Sequence, residues 1–148
     1  MTGEAAGDDP FGLGRFITAQ DEGGTYDLAV AELRAGRKTS HWMWFVFPQL
    51  AGLGRSAVAR RYAISSLAEA RAYLAHPVLG PRLALCAGLV TATAGATAEQ
   101  VFGPVDAIKL RSSMTLFQRA DSGQAVFGAV LDRFYADRPD PLTEQLLS

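Results

Sequence analysis

Ser40-His41-Trp42-Met43-Trp44-Phe45-Val46-Phe47-Pro48-Gln49 holds both tryptophans of the chain, and its reading decides the fold class. The apolar positions of this tryptophan segment neither alternate nor fall on one helical stripe, so periodicity does not choose between strand and helix. A run that is apolar all round is buried in either case. Such a density of rings, opened by an imidazole, belongs to the centre of a core or to the wall of a pocket. Ser40 as a cap, the stop before Pro48 and the helical character of the flanking sequence predict a short helix.

Working outward, each neighbouring stretch carries helix punctuation. Residues 1–8 read as a flexible leader, and Asp9-Pro10 as the cap and first position of a helix bearing Phe11, Arg15 and Phe16. Thr25 is the expected cap of a second helix, with Tyr26, Ala29, Val30 and Leu33 inward and Gly36 as its stop. Beyond the tryptophan segment, Gly52-Leu53-Gly54-Arg55-Ser56 reads as a glycine-rich loop opening a short helix. Its amides face an anion only if the fold aims them there, and its spacing is neither a Walker loop nor a dinucleotide fingerprint. Ser66-Leu67-Ala68-Glu69 and Thr97-Ala98-Glu99-Gln100 are capping boxes. Between them Pro77 is expected to begin a long helix with Leu79, Leu83, Cys86 and Val90 inward. Gly103-Pro104 separates a short helix from one capped by Asp106, and Asp140-Pro141 caps a terminal turn. With no convincing strand, residues 9–148 form a single compact all-α domain of about eight short and medium helices packed orthogonally.

The composition bounds the function. A chain of 148 residues with 49% hydrophobic and 20% charged residues and a net charge of −1 has the balance of a soluble globular domain, which disfavours extended nucleic-acid binding. The lone Cys86 excludes an internal disulfide, and no secretory signal or membrane-length apolar run is present, so a cytoplasmic location is expected. Charge is nevertheless uneven. From Leu33 to Ala68 there is no acid, while Arg34, Arg37, Lys38, Arg55, Arg60 and Arg61 supply positive charge around the aromatic segment. If the fold gathers them, they focus a positive field over a cleft; otherwise they pair with acids from elsewhere.

The tryptophan segment, Gly52 to Ser56, Tyr62-Ala63-Ile64-Ser65-Ser66, His76-Pro77-Val78-Leu79-Gly80 and Lys109-Leu110-Arg111-Ser112-Ser113-Met114-Thr115-Leu116-Phe117 together resemble the bacterial domain of unknown function 1810 family. The resemblance runs from about Asp9 to Leu147. It implies a mostly helical compact fold and brings no established activity. Members are sometimes labelled calpastatin-like, a label that nothing in these residues supports.

The candidate chemistry therefore rests on individual side chains. His41, beside polar loop residues and rings, is the candidate acid, base or anion ligand, against a competing role as a core anchor. Lys38 and Lys109 are the only lysines among many arginines, and a lysine brings a compact, tunable charge. Lys38, Ser40, Trp42, Trp44, Arg55, Lys109, Arg111, Ser112 and Ser113 are the candidate ligand-binding residues. The serines read equally well as a close helix crossing, and the tryptophans as core. Two histidines and one cysteine without ligand spacing give no metal site, and no cofactor motif appears. The leading expectation is a domain that binds a small anionic molecule, such as a nucleotide or sugar phosphate. A hydrolase or transferase using His41, and a non-catalytic protein-interaction domain, are the alternatives. Enzymatic activity and oligomeric state stay open at this level.

Overall fold

The computed structural model describes residues 9–148; the leader expected at 1–8 lies outside them. Among the described residues the chain is all-helical: α1 (Gly14–Asp21), a 3-10 turn (Glu22–Gly24), α2 (Thr25–Ala35), α3 (Met43–Val46), α4 (Ala57–Arg61), α5 (Leu67–Ala75), α6 (Leu79–Thr91), α7 (Ala98–Ala120), α8 (Ala125–Tyr135) and α9 (Pro141–Leu147). No strand forms among them; the nearest approach is one isolated parallel bridge between Leu50 and Ile64. Among the described residues no single helix is long and apolar enough to cross a membrane.

Local chemistry explains most helix ends. Asp9 accepts from the amides of Leu13 and Gly14 at 2.7 and 2.9 Å, so it does serve the start of α1, from outside a turn that the sequence reading had counted as helix. The Ser56, Ser66, Thr97 and Asp140 side chains each accept the amide that a cap should accept. His76 fills the same office for α6, its Nδ1 accepting from Val78 and Leu79. Of the two expected capping boxes, that at Thr97 is complete, whereas at Ser66 the Glu69 carboxylate turns away to Ser65 and Arg15.

Three expectations are corrected. The N-terminus of α2 follows Gly24 in the left-handed region, and the Thr25 hydroxyl donates back to the Glu22 carbonyl instead of capping. Ser40 does not cap α3, which is a single turn preceded by Trp42. Within α7 the two helices expected on either side of Gly103-Pro104 do meet at a kink, at Gly103, whose φ of 82° and ψ of 163° suit glycine alone, but Asp106 does not cap the second of them. Asp106 then sits inside the helix and its carboxylate is free for other partners.

Helix α7 is the central element. It packs on α5, α8 and α9, while α6 packs on α2, α5 and α8, and α1 on α2 and α3. The inward face of α7, from Leu110 through Met114 to Phe117, is fully buried with Phe16, Trp42, Phe47, Tyr73 and Phe127. The aromatic rings run as a connected series: Phe16 against Tyr73, Tyr73 against Phe117, and Phe117 against Phe127.

The α5–α6 corner has no room for a side chain. A Cβ at Gly80 would lie 2.1 Å from the Leu74 carbonyl oxygen, whereas one at Gly88 of the same helix would meet nothing within 4 Å. Gly80→Ala is therefore expected to destabilise the domain by at least about 2 kcal/mol, because backbone must move to admit the methyl group. Gly88→Ala should stabilise it by roughly 0.5–1 kcal/mol through backbone entropy. Urea denaturation of the two variants checks both signs.

Candidate functional site

The loop between α2 and α3 is built on a carboxylate that faces inward. Glu32 lies on the buried side of α2 and accepts from the amides of Thr39 and Ser40, at 2.8 and 3.0 Å, and from the Ser40 hydroxyl at 2.6 Å. It also accepts from the indole N–H of Trp42 at 3.0 Å. Burial alone would raise its pKa, but these hydrogen bonds outweigh burial and hold the carboxyl at about 2. The ring of Trp42 is thereby fixed in the core with no exposed surface.

The same loop delivers Lys38 to α7. The Lys38 amide donates to the Val101 carbonyl at 2.8 Å, next to the break at Gly103. Its ammonium reaches Asp106 Oδ2 at 2.8 Å, donates to the Ser40 carbonyl and lies 5.1 Å from the centroid of Trp42. Only 8% of the Lys38 side chain is exposed, so this charge depends on its carboxylate, carbonyl and ring partners. One helical turn on, Lys109 approaches Asp106 Oδ1 at the longer distance of 3.7 Å and lies 5.0 Å from the centroid of Trp44. The two lysines of the chain thus meet at one carboxylate, each over one of its two tryptophans.

The two halves differ in access. Lys38 and Trp42 are enclosed; Lys109 and Trp44 are partly exposed, and His41 is exposed. The remaining candidates go elsewhere. Ser40 is committed to Glu32. Arg111 donates to the carbonyls of Arg138 and Pro139, and Ser112 to Asp140, so both fasten the segment leading into α9. Ser113 is fully buried, and its hydroxyl has no hydrogen-bond partner among the described residues. Arg55 lines a surface groove with Gly52, Leu53, Leu142, Gln145 and Leu146, which includes no member of the Lys38–Lys109 cluster. Trp42, expected as core or pocket wall, is therefore core, and the one tryptophan with an open surface is Trp44.

Two determinants escaped the sequence reading. Glu32 was assigned no role, although an acid next to inward Leu33, immediately before the acid-free stretch, is a signal of a buried hydrogen-bond acceptor. Asp106 was read as a helix cap, yet its position three residues before Lys109 already placed both on one helix face. Cys86 is buried, and burial pushes its thiol up to about 11, which removes it as a nucleophile at neutral pH. Among the described residues no group of three or more His, Cys, Asp or Glu side chains is placed to hold a metal ion.

Residues 10–147 match the family described as protein of unknown function, DUF1810. The chain belongs to this family. The conserved hypothetical protein Rv1873 from Mycobacterium tuberculosis, known from its crystal structure, is similar to this DUF1810 protein. Its sequence is 55% identical and the TM-score is 0.91, over 94% of this chain and 98% of that one. No curated protein matches the chain.

The Glu32 network has a pH signature in this DUF1810 domain. Because its folded pKa of about 2 lies below the ordinary carboxylate value, Glu32 contributes stability above that ordinary value, and the contribution fades as pH falls toward 2. The shift corresponds to about 3 kcal/mol at neutral pH. Glu32→Gln should lower the unfolding free energy at pH 7, and its deficit relative to the unaltered protein should shrink steadily below about pH 4.5. A parallel set of urea titrations from pH 7 to pH 2.5 reads that difference; a deficit independent of pH would mean that the carboxylate charge is not what the loop uses.

Proposed function

We propose that the domain binds a small molecule carrying an anionic group beside a planar ring, with Lys109, Trp44 and His41 as its contacts. The observation that carries this reading is the sharing of Asp106 by Lys38 and Lys109. Lys38 takes the short ion pair, so the carboxylate is already largely compensated when Lys109 reaches it at 3.7 Å. The Lys109 ammonium keeps donors available for a ligand oxygen. Trp44 supplies an aromatic surface that is half-buried and so rigid, with part of the ring still open to stacking. His41 stands three residues earlier at the exposed end of the same loop and adds a hydrogen-bonding group.

Within this reading Lys38 and Trp42 are supports. They fix the loop, the carboxylate and the start of the tryptophan segment, and the exposed pair acts from that frame. A nucleotide or a phosphorylated aromatic compound has the required combination of charge and plane, and a sugar phosphate has the charge without the plane. The ranking of ligands therefore tests the role of Trp44 separately from that of Lys109.

Thermal unfolding in the presence of millimolar phosphate, sugar phosphates and nucleotides is the direct measurement. Nucleotides should raise the midpoint most, by several degrees, and phosphate least. Lys109→Met should abolish the rise for every anion. Trp44→Leu should remove the preference for nucleotides and leave a small anion response. No shift with any of these compounds would sink the proposal.

A further inference from the structure

The loop that carries Arg55 faces a different part of the molecule. Leu50 and Ile64 are joined through the 2.8 Å hydrogen bonds Ala51 N to Ile64 O and Ile64 N to Gln49 O, which fix the base of the loop. At its tip Gly52 takes a φ of 100°, and a Cβ there would stand 3.5 Å from Leu146 of α9. Leu146 lines two grooves of about 340 Å³ each, one with Arg55 and one with Leu50, Leu67 and Leu147. Both volumes fall at the lower end of the range for small-molecule sites, roughly 300–1,000 Å³.

The walls are apolar where α9 leaves its leucines uncovered. Of the residues of α9 only Thr143 is buried, while Leu142 is 60% and Leu146 50% exposed. The charges around the groove are unequal. Asp140 is taken up by Ser112 and Thr143, and Glu144 by Arg119. Arg55 is exposed, and among the described residues no carboxylate lies within ion-pair distance of it. The groove therefore combines apolar walls with one guanidinium that has no acid partner among the described residues, and the carboxamide of Gln145 stands beside them.

The geometry points to a binding site in this groove, distinct from the Lys109 surface, for a small amphipathic monocarboxylate: an apolar chain along Leu53, Leu142 and Leu146 with its carboxylate on Arg55. A planar guanidinium matches a carboxylate in a two-point hydrogen-bonded pair. A single cation beside apolar walls suits one negative charge better than a phosphate dianion, whose second charge would be desolvated without a partner. The hydrocarbon chain gains by covering the leucines that α9 leaves exposed.

Amide chemical shifts of the full chain, titrated separately with octanoate, octanol and octylammonium, test the assignment. Octanoate should give saturable shifts at Gly52, Leu53, Gln145 and Leu146, and octanol and octylammonium should bind at least tenfold more weakly. Arg55→Ala should weaken octanoate at least tenfold, and Leu146→Glu should abolish its binding. Both positions are exposed, so each variant should keep the dispersed spectrum of the folded domain. Lys109→Met should leave octanoate binding unchanged, which separates this site from the nucleotide-type surface. The inference is overturned if octanoate causes no saturable shift at these amides, if octanol binds as tightly, or if Arg55→Ala binds octanoate like the unaltered protein.

Discussion

The structure depends on a carboxylate placed where a carboxylate is expensive. Glu32, only 8% exposed, is tolerated because four donors converge on it, three of them from Thr39 and Ser40 and one from the Trp42 indole. Without those bonds the α2–α3 loop would have to satisfy its amides in solvent, and Trp42 would bury an indole N–H with no acceptor. With them, the loop has one conformation, and that conformation carries Lys38 to Val101 and Asp106. Interior packing and the exposed Lys109–Trp44 surface are thus fixed by the same side chain.

The device recurs at two other buried acids, which explains how a fold of such short helices holds together. Helices of one or two turns are unstable alone and need ties from outside themselves. Glu69 accepts from the amide and hydroxyl of Ser65 and from Arg15, and Arg15 also donates to the carbonyls of Arg61 and Ala63. This binds α1, the end of α4 and the start of α5 in one knot. Asp140 accepts from Ser112 and from the amide and hydroxyl of Thr143, while its own amide donates to Thr115, and so α9 is fastened to α7. In each case one inward carboxylate serves a helix start and a distant loop or helix together, so local order and tertiary order form as one.

That arrangement also sets what could be read from the sequence. Caps that answer to partners three residues away were legible: Ser66, Thr97 and Asp140 all accept the amide that the pattern assigns them. Ser40 and Asp106 looked like the same kind of residue and are not, because Glu32 and Lys38 outbid the local amides. Those partners lie on other elements, and nothing in the spacing of Ser40 or Asp106 reveals them. The all-helical class was legible because glycine, proline and capping residues punctuate every stretch at helical lengths. The kink at Gly103 was legible for the same reason, since a glycine before proline marks an interruption of the helix. Of the candidate site, Lys38 and Lys109 stood out by their rarity among arginines, and the fold brings both to Asp106. The separation of Arg55 from them, and the enclosure of Trp42 and Ser113, depend on how helices pack, which periodicity does not encode.

The acid-free stretch takes on a different meaning in three dimensions. It left open a focused positive field or pairing with acids from elsewhere, and near its start such acids do enter: Glu32 precedes the stretch in sequence, Asp106 comes from α7, and both bind the segment Lys38 to Trp42. Because a compensated ammonium in a rigid aromatic setting differs from an arginine on a mobile surface, charge density alone is a poor guide to where an anion would settle. Arginines spread over exposed positions such as Arg34, Arg37 and Arg60 attract anions weakly and without orientation, since screening and side-chain entropy erode each contact. At Asp106 the cost of ordering a lysine has been met by the fold, through the carboxylate and the tryptophan ring. Lys109 is thereby a donor already held in place, and preorganisation of that kind lowers the ordering cost of any contact it makes.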